Sequence, residues 1–231
     1  MQNKTVWVAL PLLVAFAVTP VGAATIDDFS VALGGCPVSK TTVGSQSIQE
    51  IAGAPILGGV REVAIEATSL DVPVADSVNV GVFPGASIFD YASSVGANGT
   101  TGLRYDGGSG LGVDLSGDAL LRIDFMSFDL ANGLAMPVTV TLEDSGAQAA
   151  VLTKSLIVAG GQSLVFPFAD FSNIGGVNLA DIDTIDIDFD PGMASDFRLS
   201  GIATDVPEPM TLSLLVLGMV FSRVRRRVAQ L

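Results

Sequence analysis

The densest run of chemically active side chains is DIDTIDIDFD, from Asp181 to Asp190. On an extended strand, Asp186, Asp188 and Asp190 would project from one face about 7 Å apart, because alternate residues of a strand face the same side. Carboxylates at that spacing could hold a hard cation such as calcium, or serve as the acid and base of a glycosidase. A solvated sheet face without a ligand is the third interpretation, and the residues alone leave all three open.

Other side-chain chemistry is limited by what the chain lacks. It has no histidine and a single cysteine, Cys36. Ser-His-Asp and Cys-His catalysis and nearly every zinc site are therefore excluded. Oxygen ligands favour calcium or magnesium over a transition metal. Our expectation is a protein with no catalytic residue and no required cofactor, with structural calcium as the one metal to consider.

Aromatic side chains are the usual platforms for sugar recognition, and few are available. The single tryptophan, Trp7, lies near the N-terminus, and the only tyrosines are Tyr91 and Tyr105. Sugar binding would therefore have to rely on Tyr91, Tyr105 or polar loops, and a carbohydrate groove would be lined by one of the two tyrosines. Most phenylalanines sit in strand patterns and are predicted to be core.

Short alternating segments must position these residues. Apolar and polar residues alternate with period two, and Gly- and Asn-rich turns such as Gly96–Gly99 and Pro191-Gly192 separate the segments. This pattern predicts an all-β sandwich or barrel, of which we expect the antiparallel β-sandwich, with short helical turns conceivable only at Ala149–Ser155 and Asn178–Ile182. The predicted strands are Thr25–Val31, Glu62–Thr68, Val78–Val82, Ala119–Phe128, Val138–Leu142, Val151–Val158, Ser163–Phe168, Ile182–Phe189 and Asp196–Ile202.

Both ends of the chain carry targeting signals. Residues 1–24 combine Lys4, an apolar stretch and small residues, which predicts a helical signal peptide cleaved after Ala23 or Ala24. The last segment, 206–231, has a proline-flanked glutamate, an apolar run from Met210 to Phe221 and an arginine cluster. Twelve helical residues span about 18 Å, against about 30 Å of hydrocarbon, so a permanent anchor is a poor fit. The motif residues are Pro207, Glu208, Pro209, Arg223, Arg225, Arg226 and Arg227.

This ordered tail closely resembles the PEP-CTERM sorting signal of exported bacterial proteins. The resemblance implies that exosortase, a membrane-embedded cysteine protease or transpeptidase, reads the motif, a short hydrophobic helix and the arginines. The protein would pass through the secretion machinery and signal peptidase and stay briefly in the inner membrane. It would then reach the cell surface or an extracellular matrix.

The domain between the two signals, residues 25–205, has its own resemblance. IDDFS from Ile26, ILGGVRE from Ile56, GLGVDLSGDALLRIDF from Gly110 and DFRLSGI from Asp196 look like the jelly-roll domains of PEP-CTERM proteins, which are similar to galactose-binding-like modules. In such folds the first and last strands are neighbours. The resemblance implies that Asp27 or Asp28 approaches Asp196, where this fold family often holds structural calcium.

The net charge of the domain excludes some classes of binding partner. The chain carries −13, but five of its eleven basic residues lie in the terminal segments, which leaves the domain with six basic and 23 acidic residues, or −17. Such a surface repels nucleic acid and anionic lipid. We expect an exported, non-enzymatic surface or matrix protein. The alternatives are a module that binds exopolysaccharide, and a glycoside hydrolase or lyase with paired aspartates.

The sorting hypothesis predicts both ends of the mature protein. Intact-mass measurement of protein from an exosortase-positive host should give an N-terminus at Ala24 or Thr25 and a C-terminus near Pro207–Pro209, because both signals are removed. A host without exosortase is the control, and there the arginine cluster should remain attached. Its retention in surface protein of the positive host would indicate a plain anchor.

Overall fold

The computed structural model describes residues 24–31, 37–51, 56–72, 75–129 and 135–205, with the side chains of 49–51 excepted. These residues form two antiparallel β-sheets that face each other across one hydrophobic core. The predicted all-β sandwich is therefore confirmed. The two predicted terminal helices, the cleavage residue Ala23, Cys36 and the sorting motif lie outside the described residues. Within them, no helix is long and apolar enough to cross a membrane.

Thirteen strands are described, in two sheets. The front sheet has the order β11-β8-β13-β6-β5-β2, with β1 beside β13, and the back sheet has the order β10-β9-β12-β7-β4-β3. The strands are β1 (Thr25–Asp27), β2 (Val38–Lys40), β3 (Gly44–Ile51), β4 (Val60–Leu70), β5 (Val78–Phe83), β6 (Ile88–Ser93), β7 (Ala97–Tyr105), β8 (Leu120–Asp129), β9 (Met136–Asp144), β10 (Ala149–Leu156), β11 (Gln162–Pro167), β12 (Ile182–Met193) and β13 (Asp196–Asp205).

Period-two alternation directs one face of each strand into the core. In β9, Met136, Val138, Val140 and Leu142 are fully buried, while the residues between them are partly exposed. The core also joins the sheets through aromatic rings, since Phe189 of β12 packs on Phe197 of β13 with centroids 5.0 Å apart. The phenylalanines predicted to be core are buried, namely Phe125, Phe128, Phe166, Phe168 and Phe189.

Two glycine-containing segments that were predicted to be turns lie inside strands. Asn98 and Gly99 belong to β7, a central strand of the back sheet. A Cβ on Gly99 would lie 2.4 Å from the carbonyl oxygen of Glu66, so glycine here permits close approach of β4. Pro191 and Gly192 lie at a register shift within β12, where a β-bulge replaces the predicted turn.

Helical turns occur at other places than predicted. Ala149–Ser155 lies in strand β10, and residues 179–180 form an ordinary turn before β12. The 3₁₀ turns of the described chain are Leu57–Gly59, Phe168–Asp170 and Ile174–Gly176. Both predictions of a helical turn were therefore wrong, although Ile174–Gly176 lies only a few residues from the second.

A buried ion pair connects the two sheets. Arg61 points inward from β4 of the back sheet, and its Nη1 donates to Oδ2 of Asp27 on β1 of the front sheet at 2.6 Å. The Tyr105 hydroxyl donates to the same oxygen at 3.0 Å, and the backbone N–H of Phe29 donates to Oδ1 at 2.8 Å. Burial raises the pKa of Asp27, and the charge and hydrogen bonds of Arg61 oppose that rise.

The two ends of the described domain lie together. Strand β1 pairs with β13, with Thr25 opposite Ala203, so the predicted neighbourhood of the first and last strands is confirmed. The backbone N–H of Thr204 donates to the carbonyl oxygen of Ala24 at 2.8 Å. Residues 24 and 205 therefore leave the sandwich at the same end.

Asp27→Asn tests the buried ion pair, because it keeps the side-chain shape and removes the negative charge beside Arg61. We expect the free energy of unfolding to fall by about 3–5 kcal/mol, as for other broken buried pairs. Tyr105→Phe should cost about 1 kcal/mol for one hydrogen bond. Denaturant unfolding of the mature protein measures both.

Asp28→Asn is the matched control, since the carboxylate of Asp28 accepts an exposed hydrogen bond from the Ser30 N–H. It should change stability by less than about 0.5 kcal/mol. A cost for Asp27→Asn no larger than that of the control would contradict a structural role for the pair.

Candidate functional site

The aspartate run of β12 projects as predicted but does not gather into a tight cluster. Ile185, Ile187 and Phe189 are buried, whereas Asp186, Asp188 and Asp190 face the outside of the back sheet. Among the described residues, no group of three or more acidic or cysteine side chains is placed to hold a metal ion.

Asp186 and Asp188 border a recess of about 120 Å³ on the back sheet. Ala64 and Gly102 lie on neighbouring strands and leave room there, and a Cβ on Gly102 would lie 2.9 Å from Oδ1 of Asp188. The guanidinium of Arg104 is 3.3 Å from Asp186. This arrangement, one arginine beside carboxylates on an open sheet face, matches the interpretation of the aspartate run as a solvated sheet face without a ligand.

The second proposed calcium set is not brought together. Asp27 is buried against Arg61 and lies opposite Ile202, whereas Asp196 is at the other end of β13. Ile202 is six residue steps along the strand from Asp196, which corresponds to about 20 Å. Asp28 instead accepts a hydrogen bond from the Ser30 N–H at 2.9 Å. The expectation that Asp27 or Asp28 meets Asp196 is therefore wrong, because strand neighbours need not align end to end.

The predicted sugar-binding tyrosines are both core residues. Tyr91 and Tyr105 have no exposed surface. The Tyr91 hydroxyl donates to the carbonyl oxygen of Gly99 at 3.0 Å, and that of Tyr105 donates to Asp27. Burial raises the pKa of both phenols. Neither ring can contact a ligand from solvent, so this prediction was wrong.

Phe83 is the aromatic residue that the sequence interpretation missed. It is 45% exposed, and it is the one aromatic among the large hydrophobic side chains that the described residues expose. Its ring lies against Gly81, where an added Cβ would be 3.1 Å from a ring carbon. The sequence did contain a signal for its exposure. If Val78, Val80 and Val82 of β5 face the core, residues 79, 81 and 83 must lie on the outer face of the sheet.

A row of paired residues extends from Phe83 across the front sheet. Gly81 is opposite Asp90 on β6, and Asp90 is opposite Arg198 on β13. The Arg198 Nε donates to Oδ1 of Asp90 at 2.6 Å, and the arginine side chain is 58% exposed. The aromatic ring thus lies one strand away from an exposed, oriented guanidinium–carboxylate pair.

A cavity of about 280 Å³ opens beside this pair. Asp196 and Asp129 lie opposite each other on β13 and β8 and add two carboxylates to its lining. The backbone N–H of Ser93 donates to Asp196 at 3.3 Å. Burial raises the pKa of Asp196, and the charges of Asp90 and Asp129 raise it further. We call Phe83, Asp90, Asp129, Asp196 and Arg198 the front-face site.

Carboxylates on the back sheet should make stability depend on pH. Burial raises the pKa of Asp188 and of Asp186, and Arg104 partly offsets the rise for Asp186. A carboxyl with a higher pKa in the folded state binds extra protons when folded, so it contributes stability as pH falls through that window and loses it as pH rises. The window begins near the ordinary carboxyl range, about pH 4.

Asp188→Asn should therefore raise the Tm of the mature protein by about 1–2 °C at pH 7, which corresponds to several tenths of a kcal/mol. The gain should vanish near pH 4, where the aspartate is protonated as well. Asp114→Asn is the control, because hydrogen bonds from Ser116 lower the pKa of Asp114 and its removal should bring no gain. An equal gain for Asp188→Asn at both pH values would contradict the assignment.

Comparisons with known proteins find only distant likeness. No family model and no curated protein matches the sequence. The family 11 carbohydrate-binding module from Clostridium thermocellum, in complex with a mixed-linked tetrasaccharide, has a TM-score of 0.42 and 16% identity over 81% of this chain and 98% of that one. An agarase has a TM-score of 0.41 and 11% sequence identity, and the match covers 80% of this chain and 25% of the agarase. A mutant of a family 29 carbohydrate-binding module has a TM-score of 0.35 and 15% sequence identity, and the match covers 70% of this chain and 91% of the module. Likeness at this level carries no argument about function.

Proposed function

We propose that the protein is an exported, non-catalytic module that binds carbohydrate at the front-face site. The observation that carries the proposal is the position of Phe83, an exposed ring beside the pair formed by the half-buried Asp90 and the exposed Arg198. The two tyrosines first considered for this role are buried, and Phe83 takes their place.

The chemistry of the site suits a sugar. A ring held against Gly81 offers an apolar face for the C–H side of a pyranose, and ring contacts give binding sites much of their energy. Arg198 offers fixed donors and Asp90 offers acceptors for hydroxyl groups, and a few such polar groups set the orientation of a ligand. Because all of them lie on the open face of a sheet, a polymer could continue past the site on both sides.

Catalysis is a poorer fit to the same residues. Asp129 and Asp196 are opposite each other on adjacent strands, and burial raises the pKa of Asp196, as a general acid would need. A glycosidase, however, places its two carboxyl groups on either side of the scissile bond. Cross-strand neighbours on one sheet face project side by side in the same direction. Both carboxylates therefore face a bound sugar from the same side of the sheet, which suits binding of the sugar.

Sorting and location follow from the two terminal signals and stay part of the proposal. Secretion and signal peptidase act at the N-terminal segment, and exosortase acts at the PEP-CTERM-like tail while the inner membrane holds the protein briefly. The processed protein then works at the cell surface or in an exopolysaccharide matrix. That location supplies the polymer that the front-face site would bind, and the intact-mass measurement described above tests the sorting.

Affinity electrophoresis of the mature protein tests carbohydrate binding. Gels containing a neutral glucan, an amino-sugar polymer or a uronic-acid polymer should include at least one that retards the protein. Phe83→Ala and Arg198→Ala should each weaken that binding at least tenfold, or about 1.4 kcal/mol.

Val151→Ala is the control, since Val151 is exposed on the back sheet far from the site. It should leave retardation unchanged. Migration unaffected by every polymer would overturn the proposed function, and unaltered binding by Phe83→Ala would overturn its location.

A further inference from the structure

Strand β3 is an open edge of the back sheet. It runs from Gly44 to Ile51 and pairs with β4, and no other described strand lies on its outer side. Ser45, Gln46 and Ser47 are all exposed, although successive residues of a strand face opposite sides of the sheet. An edge of this kind presents backbone donors and acceptors to solvent, which makes it a template for another strand.

The neighbouring strand shows which backbone groups of β3 face outward. The carbonyl oxygen of Ala64 in β4 accepts a hydrogen bond from Oγ1 of Thr101 on β7 at 2.7 Å, so it points away from β3. Opposite residues of an antiparallel pair either exchange hydrogen bonds or both point away from each other. Ala64 is opposite Ser47. The backbone N–H and C=O of Ser47, and of Ser45 two residues earlier, therefore point to the open side.

The other edges of the two sheets have features that hinder pairing with another molecule. Strands β1 and β2 have three residues each, and β11 ends at Pro167. The edge of β10 is partly covered, because the carbonyl oxygen of Val151 accepts from the backbone N–H and the hydroxyl of Ser172. Lys154 of β10 also lies on the core side, opposite the buried Val138. Short strands, proline, cover by a loop and inward charges are the usual protection of sheet edges.

The charge distribution favours a second copy of this chain as the occupant of β3. The domain carries −17, so most of its surface repels a copy of itself. Residues 41–48, however, contain no charged residue and no proline. A two-fold axis through Ser47 would place Glu50 opposite Gly44 of the other copy, so that no like charges face each other. Val43, which is 63% exposed just before β3, would gain cover from the added strand.

We propose that β3 is the docking edge for a second copy of this chain, in an antiparallel pair with a two-fold axis at Ser47. The two back sheets would join into one continuous sheet, held mainly by backbone hydrogen bonds. One strand pair is a small interface, so we expect a transient dimer with a micromolar dissociation constant. The inference does not depend on carbohydrate binding, because Phe83 and Arg198 lie on the front sheet.

Sedimentation of the mature protein between about 1 µM and about 1 mM covers this range of affinity. The measured mass should rise from that of one chain to that of two. Ser47→Glu should raise the dissociation constant at least tenfold, because it places two carboxylates opposite each other. Ser47→Pro should do the same by removing an outward N–H. The monomer should stay folded, because that N–H takes no part in the pairing with β4.

Thr153→Glu and Thr153→Pro are the matched controls. Thr153 is exposed on β10 at the other edge of the back sheet, and its backbone also faces outward, two residues from Val151. Both controls should leave the dissociation constant unchanged. Equal weakening by the Thr153 variants would show general repulsion or strand disruption and overturn the interface. A dimer that neither Ser47 variant weakens would also overturn it.

Hydrogen exchange at the Ser45 and Ser47 amides identifies the occupant of the edge. If two copies pair there, these amides should exchange fast at low protein concentration and slowly at high concentration. A monomer in which they exchange slowly at every concentration would show that another segment of this chain covers β3. A monomer with fast exchange throughout would show an edge that stays open. Either result would overturn the dimer and leave the proposed carbohydrate binding standing.

Discussion

The buried ion pair between Asp27 and Arg61 is the interaction on which the arrangement of the sandwich depends. An arginine on the inward face of β4 is tolerable only with a counter-ion and hydrogen-bond partners in the core. Asp27 supplies the charge, Tyr105 supplies a further donor to it, and the carbonyl oxygen of Val31 accepts from Nη2 of Arg61 at 3.0 Å. The three residues of β1 are thus held by more than their short ladder with β13. Because β1 lies beside β13, the pair also helps to hold the strand that carries Arg198.

Strand identity was largely readable from the sequence because burial on one face imposes period two. It failed where side chains carry little hydrophobic signal. Strand β7 begins with Ala97, Asn98 and Gly99, and Gly99 permits close approach of β4 and does not form a turn. Strand β2 is short and strand β3 is largely polar, so neither has the alternation of apolar and polar residues that predicts a strand. Strand β6 was missed although Phe89 and Tyr91 alternate with less buried neighbours.

The site was less predictable than the fold, because it depends on register. The period-two pattern of the sequence correctly predicted that Asp186, Asp188 and Asp190 share one face of the strand. It could not tell that Asp196 lies opposite Asp129 and far from Asp27, since pairing between distant strands leaves no mark on local sequence. The tyrosines misled for a related reason. Both occupy inward positions of strands, and their hydroxyl groups find partners inside the core.

The position of β13 has a mechanical consequence. It is the last described strand, yet it lies inside the front sheet, bonded to β8 along its length and to β6 and β1 on its other side. A pull on the chain beyond Asp205 would run along the strand axis toward Arg198 and Asp196. A force in this direction is parallel to the strands, so the hydrogen bonds between β13 and its neighbours resist it together and do not break one by one. A protein held at its C-terminus and gripping a polymer through β13 would transmit tension along its best-supported strand.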